Sequence, residues 1–519
     1  MKHRKIIAVL SALTLLAGSL SGINASAAAK GSGDIDENGS VQIADAILLA
    51  RWIAEDTDIT VTTQGLLNAD MNGDEAVDSD DAAALLSWLA GTETAPPSEG
   101  RSVDLLADVQ AGDVQKGNPA DEAFRAAQAK FSVDLLREQQ SLESDKEKNL
   151  LVSPLSVSLA LGMTMNGAKG DTLTEMQKVL GDDLTAEQLN SYYAGWSDAL
   201  LKPETVRYLD YDENGRMDTV ESQSAPVTLA NAIWIRDNEE RIHVPLPFLR
   251  TTAGYYHADA FRAPFDETTV DDINGWCDEN THHMIPKVLN GLTEQDVMVL
   301  ANALTFEDIW SKPYEDYQID DGKFTAVNGK VRDVKMMSSE EGTYIQDDKA
   351  TGFIKGYRDS RYSFAAVLPN EDVSLDDYIA SLDGEKLQKL LASKERCEVW
   401  AEMPEFSYDY STELNAALCG LGMPAAFSPG TADFTGLNDA EGMATWIGRV
   451  IHKTHIEVCK SGTKAAAVTV ITMRASGVIE DPPQPKHVTL DRPFLFMILD
   501  NQTNLPLFLG TVKDIPAEQ

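Results

Sequence analysis

Cysteine, positive charge and long apolar runs are all scarce in this chain of 519 residues. The four cysteines (Cys277, Cys397, Cys419 and Cys459) stand far apart, without the close pairing of a zinc-type site. Export would permit one or two disulfides among them; buried free thiols suit the same spacing. Lys and Arg number 43 against 83 Asp and Glu, a formal charge of −40. So acidic a surface repels phosphate backbones and anionic bilayers, which sets aside nucleic acid and membrane as partners and favours calcium and solubility. Beyond the first residues no apolar stretch is long enough to span a bilayer. Catalytic constellations are missing too. There is no Gly-x-Ser-x-Gly elbow and no zinc-hydrolase motif, so the chain does not read as an enzyme. What remains is ordinary for a soluble globular protein: 43% hydrophobic residues and 7% aromatics.

Residues 1–27 have the make-up of a secretory signal. Lys2, Arg4 and Lys5 form a charged start, Ile6 to Leu20 an apolar core, and Ala25-Ser26-Ala27 a small-residue cleavage site. Cleavage there leaves a secreted, extracellular chain that is more acidic still.

Two segments then repeat at an offset of 36 residues. Asp34, Asp36, Asn38 and Asp45 stand at positions 1, 3, 5 and 12 of one acidic loop, and Asp70, Asn72, Asp74 and Asp81 at the same positions of a second. Ser40 and Ala76 offer main-chain carbonyls between them. Hard oxygen donors at this spacing wrap one Ca2+ per loop. An amphipathic helix follows each loop, with Leu49, Trp52 and Ile53 matched by Leu85, Trp88 and Leu89. Residues 31–92 resemble the dockerin module of cellulosome proteins. The resemblance implies a small α-helical unit with paired EF-hand-like Ca2+ loops and, as partner, a cohesin module of a scaffoldin. It assigns cohesin selection to Ile43 and Ala44 in the first repeat and to Ser79 and Asp80 in the second. The pairs differ, which argues against a symmetric dual binding mode. Glu75 replaces the glycine of the second loop, which points to a weaker second site.

The chain then turns polar and holds Pro96-Pro97. Residues 93–118 read as a linker that takes in the stretch Val103 to Val114, with the large domain over 119–519. In that domain a helix is expected from Ala120 to Glu138 and another from Ser153-Pro154. Strands are expected at Val227 to Ile235, Phe364 to Leu368 and Val399 to Phe406. The class is α+β.

Near the C-terminus, Gly462-Thr463-Lys464-Ala465-Ala466-Ala467 opens an unbroken β-competent run to Met473. A loop-like stretch follows, Ser476 to Pro485, and then a strand at Pro493-Phe494-Leu495-Phe496. Lys464 and Arg474 are the only charges from Thr463 to Ser476 and share one parity. Thr463, Ala465, Ala467, Thr469, Ile471 and Met473 line the other, the pattern of a strand with one face to bury. An ordinary core strand fits this pattern. So does a segment that can stand out or join a sheet, a choice that stores free energy.

The motifs Ser153-Pro154-Leu155-Ser156, Gly167-Ala168-Lys169-Gly170, Ala230-Asn231-Ala232-Ile233-Trp234, Met403-Pro404 with Phe406, Arg492-Pro493-Phe494 and Phe508-Leu509-Gly510 are similar to those of the serpin family. They cover essentially all of the chain after the linker. The resemblance implies three β-sheets, about eight or nine helices and a mobile reactive-centre loop. It also implies inhibition of serine proteases by trapping. The loop is cut, the protease is held as an acyl-enzyme, and the segment from Thr463 enters the central sheet as a new strand. By the same resemblance Gly462, Thr463, Ala465, Ala466 and Ala467 form the hinge. Ser153, Ser156, Asn302 and His452 form the polar cluster where the sheet opens, and Trp310 lies beneath the point of insertion. Lys460 and Glu405 reverse the family's usual charges there and are expected to form a salt bridge. The cut bond is expected at Ser476-Gly477, which suits elastase-like or subtilisin-like enzymes. The alternative, Arg474-Ala475, suits trypsin-like ones. A non-inhibitory serpin-fold scaffold or binding protein carried by a dockerin is the other function this sequence allows.

A third acidic loop, Asp210, Asp212, Asn214, Asp218 and Glu221, has calcium-loop spacing as well. A β-hairpin turning at Asn214-Gly215 accounts for the same residues.

Overall fold

The computed structural model describes residues 35, 43–53, 59, 61–69, 71, 77, 81–82 and 85–86 in the N-terminal part. In the rest it describes residues 102–107, 109, 117–211, 217–237, 242–293, 296–440, 444–463 and 484–516. The signal-like residues 1–27 lie outside them. The chain divides into two compact units between Arg101 and Ser102. No helix among the described residues is long and apolar enough to cross a membrane.

The N-terminal unit shows its repeat in its packing. Ile35, Ala46 and Leu49 are buried together with their offset counterparts Met71, Ala82 and Leu85. The buried Asp45 and Asp81 each accept a main-chain N–H at 2.8 Å, from Ile35 and Met71. One carboxylate thus ties the end of each acidic loop to its start. Two helices are described, α1 (Ile43–Ile53) and α2 (Thr63–Ala69). The second was not expected. It starts at Thr62, whose hydroxyl accepts the Gly65 N–H at 2.9 Å. Ala44 is exposed in the first turn of α1, one residue after Ile43. Asp34, Asp36, Asn38, Ser40, Asp70, Asn72, Asp74, Ala76, Ser79 and Asp80 lie outside the described residues.

The larger unit has three sheets. The central one runs β1 (Val103–Asp104), β6 (Ala258–Ala263), β5 (Val227–Arg236), β7 (Met298–Phe306), β15 (Arg449–Val458), β16 (Gly462–Thr463) and β8 (Asp308–Ile309), with β14 (Phe406–Glu413) on the other edge of β15. The second runs β17 (Lys486–Thr489), β13 (Glu395–Pro404), β10 (Val331–Gln346), β11 (Ala350–Gly356), β12 (Tyr362–Pro369), β18 (Phe494–Asp500), β19 (Leu505–Val512) and β2 (Leu151–Val152), with β9 (Ile319–Thr325) on β10. The third is the hairpin β3 (Glu204–Tyr211) and β4 (Met217–Ser224). Nine α-helices are described: α3 (Glu122–Leu142), α4 (Pro154–Met165), α5 (Gly170–Gly181), α6 (Ala186–Leu201), α7 (Leu246–Tyr256), α8 (Glu267–Asn280), α9 (Leu375–Ser381), α10 (Gly384–Ala392) and α11 (Asn415–Leu421).

The core follows from unbroken apolar runs. β18 and β19 are buried at every residue, as expected of strands covered on both faces. α4 is also buried all round and packs on β5, β7 and β19. Ser153 caps it and Pro154 opens it, where a missing N–H costs nothing.

Two expectations change. The stretch Val399 to Phe406 is two strands, not one. β13 ends at Pro404, whose ring removes a ladder donor, and β14 continues in the other sheet. The linker is shorter than 93–118, because its second half belongs to the larger unit. Val103 and Asp104 pair with Arg262 and Phe261, and the Leu105 N–H donates to the Ala260 carbonyl at 2.8 Å. The Trp234 indole donates to Ser102 Oγ at 3.2 Å. The third acidic loop lies in the hairpin β3–β4, one of the two forms expected of it. Asp210 pairs with Asp218 and Tyr211 with Met217, so extended chain runs where a wrapped loop would have to curl. Glu221 pairs with Arg207 at 2.6 Å. Asp212 and Asn214 lie outside the described residues. All four cysteines are free thiols.

Candidate functional site

β7 has two unlike edges. Toward β5 it is paired at every residue, from Met298 with Ile235 to Phe306 with Val227. Toward β15, which runs parallel to it, only Val299 with Arg449 and Leu300 with Val450 are paired. Past Leu300 no further pairs join the two strands among the described residues. A strand laid in this slot, antiparallel to both, would satisfy the N–H and C=O groups of both edges.

The top of the slot already holds such a strand, two residues long. In β16, Gly462 pairs with Ile309 and Thr463 with Asp308, both antiparallel, and Thr463 also pairs with Val458. A Cβ on Gly462 would lie 2.1 Å from the Asp308 carbonyl oxygen, so only glycine allows this approach. Thr463 is buried, and its hydroxyl shares a 2.5 Å hydrogen bond with that of Tyr357. Tyr357 stacks on Trp310 with ring centres 4.6 Å apart, and the Trp310 indole donates to the Cys459 carbonyl at 2.9 Å. Beside them, burial pushes the Asp308 carboxyl up to about 7, against the pull of the Ile309 and Asp359 main-chain N–H groups.

The expected Lys460–Glu405 salt bridge is not what the top of the sheet contains. Glu405 accepts the main-chain N–H of Lys460 at 3.1 Å, while the Lys460 ammonium pairs with Asp316 at 2.7 Å. The main chain holds the Glu405 carboxylate, and the lysine stem reaches the 3-10 turn at Asp316–Gln318.

Just past the last paired residues a polar chain crosses the sheet. The Ser153 N–H donates to His452 Nε2 at 3.1 Å, and Ser153 Oγ donates to the Leu507 carbonyl at 2.8 Å. Ser153 Oγ accepts the Ser156 N–H, and the Ser156 hydroxyl donates to Asn302 Oδ1. Asn302 donates on to Asn231, Asn231 to the Tyr256 carbonyl at 3.3 Å, and the Tyr256 hydroxyl to Asn190 at 2.5 Å. His452 on β15 and Asn302 on β7 are therefore joined through the start of α4. Burial pushes the His452 imidazole down to about 4, against a smaller upward pull from the Leu151 backbone, so it is neutral. A buried network of this kind is costly to half-break, which suits a latch. Cys277 of α8 is buried over the parted strands, and a void of about 10 Å³ lies between it, Ala301, Ala303, Ile451 and Lys453.

The profile of the family described as Serpin (serine protease inhibitor) matches residues 126–515. The chain belongs to the serpin family. The thermophilic serpin tengpin in its native state superposes with a TM-score of 0.71 at 39% identity, covering 80% of this chain and 100% of that one. Tengpin in its latent state gives 0.64 at 37% identity, covering 78% of this chain and 100% of that one. The leukocyte elastase inhibitor of Equus caballus is 28% identical over 403 residues, 75% of this chain and 98% of that protein. A dockerin type I profile matches residues 32–89, so this serpin carries a dockerin type I domain.

In this serpin the four residues expected at the sheet opening, Ser153, Ser156, Asn302 and His452, belong to one hydrogen-bonded chain, and Trp310 meets the hinge through Tyr357. Ala465, Ala466 and Ala467 lie outside the described residues, as do both candidate bonds, Ser476-Gly477 and Arg474-Ala475. Sequence reasoning missed Asn190, Asn231, Tyr256, Tyr357 and Asp308. Asn231 stood inside a quoted motif and was legible there. Tyr357 carried no local signal, because its role comes from a contact across more than a hundred residues of chain.

Proposed function

We propose that this serpin is a secreted inhibitor of serine proteases that works by suicide-substrate trapping and is brought to a cellulosome by its dockerin. The protease cuts the loop after Thr463, at Ser476-Gly477, or at Arg474-Ala475 for a trypsin-like enzyme. Its serine stays esterified to the new carboxyl end while the amine half leaves. The freed segment then enters the slot between β7 and β15.

The observation that carries this reading is β16, two residues of the expected hinge laid antiparallel between β8 and β15 above the unpaired edges. Extending that strand gains ladder bonds on both edges, each worth about 0.5–1.5 kcal/mol net. The small side chains of Ala465 and Ala467 on the inward parity put no bulk or charge in the way.

Dockerin type I domains bind calcium. Here Asp34, Asp36, Asn38, Ser40 and Asp45 would hold one ion, and Asp70, Asn72, Asp74, Ala76 and Asp81 a second. The buried Asp45 and Asp81, each drawn to the start of its loop, support this assignment. The partner would be a cohesin module, met by Ile43, Ala44, Ser79 and Asp80.

The full-length protein is mixed in turn with elastase, subtilisin and trypsin. A denaturant-resistant adduct with at least one of them is the expected result, and the mass of the released peptide identifies the cut bond. Nicking by all three with no adduct would instead mark a non-inhibitory scaffold.

A further inference from the structure

β17 continues directly from the reactive-centre loop and pairs in parallel with β13, His487 beside Trp400. Trp400 is 47% exposed, an unusual state for a side chain so large and apolar. It is nonetheless held in place. Its indole N–H donates to Glu398 at 2.8 Å, and its ring meets that of the exposed His487 edge-on, centres 4.8 Å apart. Acids surround it. Glu398 and Glu402 flank it on the same face of β13, and Glu340 stands opposite it in the β10 ladder. Glu402 accepts the Thr489 hydroxyl at 2.7 Å, which fixes the rim on the loop side. Arg396 lies at the far end of the strand, past a bulge in the ladder.

We propose that Trp400 anchors a docking face for a serine protease whose cleft is bordered by lysine and arginine, and that this face selects which protease is trapped fastest. The proposal rests on the trapping reading. An aromatic ring ringed by carboxylates receives a guanidinium or ammonium twice over, through its π face and through its acids. A pre-set tryptophan loses little freedom on binding, and such residues dominate the energetics of interfaces. The position selects the occupant. Ten residues separate Gly477 from His487, which limits their distance to about 36 Å. A protease domain is about 40 Å across, so an enzyme seated on the reactive bond meets this face wherever the loop is folded back to about half its full reach.

The test measures second-order association rate constants for the full-length protein, Trp400→Ala and Glu398→Lys. The enzyme is whichever of elastase, subtilisin and trypsin forms the adduct, at low and high salt, and again after succinylation of its surface lysines. Trp400→Ala is expected to slow association by about tenfold or more, with melting temperature and adduct yield unchanged. Glu398→Lys is expected to slow it strongly at low salt and much less at high salt. The succinylated enzyme should react slowly with the wild type and be slowed least with Glu398→Lys, whose new lysine faces succinyl carboxylates. Adducts formed by the variants at wild-type rates with every enzyme would overturn the docking face and leave trapping intact. No adduct with any enzyme would end the trapping reading, and the docking face with it.

Discussion

The two edges of β7 offer the same backbone and meet opposite fates. One is paired with β5 along its whole length, while the other keeps two pairs to β15 and then lets go. Strand propensity does not explain the difference, since it is one strand. β15 is not short of ladder bonds either, because its far edge is paired with β14 from Phe406 to Glu413. What differs is that beyond Leu300 this edge has no ladder partner among the described residues, while above it β16 pairs with β8 and β15. On the trapping proposal, the pairs still open on this edge form only after the loop is cut.

If that is right, cutting should remove the difference between the edges. Clipping the loop with the protease that yields an adduct is expected to raise the melting temperature by about 10 °C or more, since several net ladder bonds at about 1 kcal/mol each are gained. Calorimetry of intact and clipped protein makes the comparison, and equal melting temperatures would mean that the slot stays empty.

Thr463→Glu should keep the edges unequal after cutting. It would bury a carboxylate beside Asp308 and break the bond to Tyr357, which costs far more than an exposed substitution. Loop cleavage should persist while the ratio of adduct to cleaved product falls by about tenfold or more. A wild-type ratio would separate the hinge from insertion.

A smaller effect concerns the latch beside the last paired residues. Burial holds the His452 imidazole at about 4, while an unfolded histidine titrates near 6.5. Between those values the unfolded chain binds a proton that the folded chain refuses. This contribution to stability is therefore lost as pH falls from about 6.5 toward 4, on the order of 3 kcal/mol in all. Asp308 runs the other way. Raised to about 7 from an ordinary carboxylate value of 3.8, it keeps its proton when folded, so its contribution is lost as pH rises from about 4 through 7. The slopes oppose each other in the wild type. In Asp308→Asn the urea midpoint should climb more steeply between pH 4.5 and 6.5 than in the wild type, and an unchanged profile would contradict the assignment.

The smallest effect is expected at the top surface. Lys460 and Asp316 are both well exposed, and solvent screens such pairs. Lys460→Ala should leave the melting temperature of the intact protein essentially where it was. A clear drop would show that this pair helps hold the slot's mouth.

Much of this was legible in the sequence because it is local. The offset of 36 residues, which set Asp45 against Asp81, returned as matched buried residues. Ser153-Pro154 announced a helix start, and that start is where the structure places it. The pairing of charges was not legible. Lys460 had opposite charges within reach at both Glu405 and Asp316, and only the path of the main chain decided that one would meet its N–H and the other its ammonium. The linker failed for a related reason. A polar stretch with prolines says nothing about whether its next two residues will find an edge strand such as β6.

The sequence by itself determined the order of modules, the acidic loops and the α+β class. The tertiary structure alone decided that Gly462 and Thr463 pair with β8 and β15, that β7 loses its partner past Leu300, and that His452 and Asn302 are linked through α4. Composition and periodicity act over a few residues. An edge left unpaired within a sheet, and a hydrogen-bonded chain across it, exist only once segments hundreds of residues apart have been brought side by side.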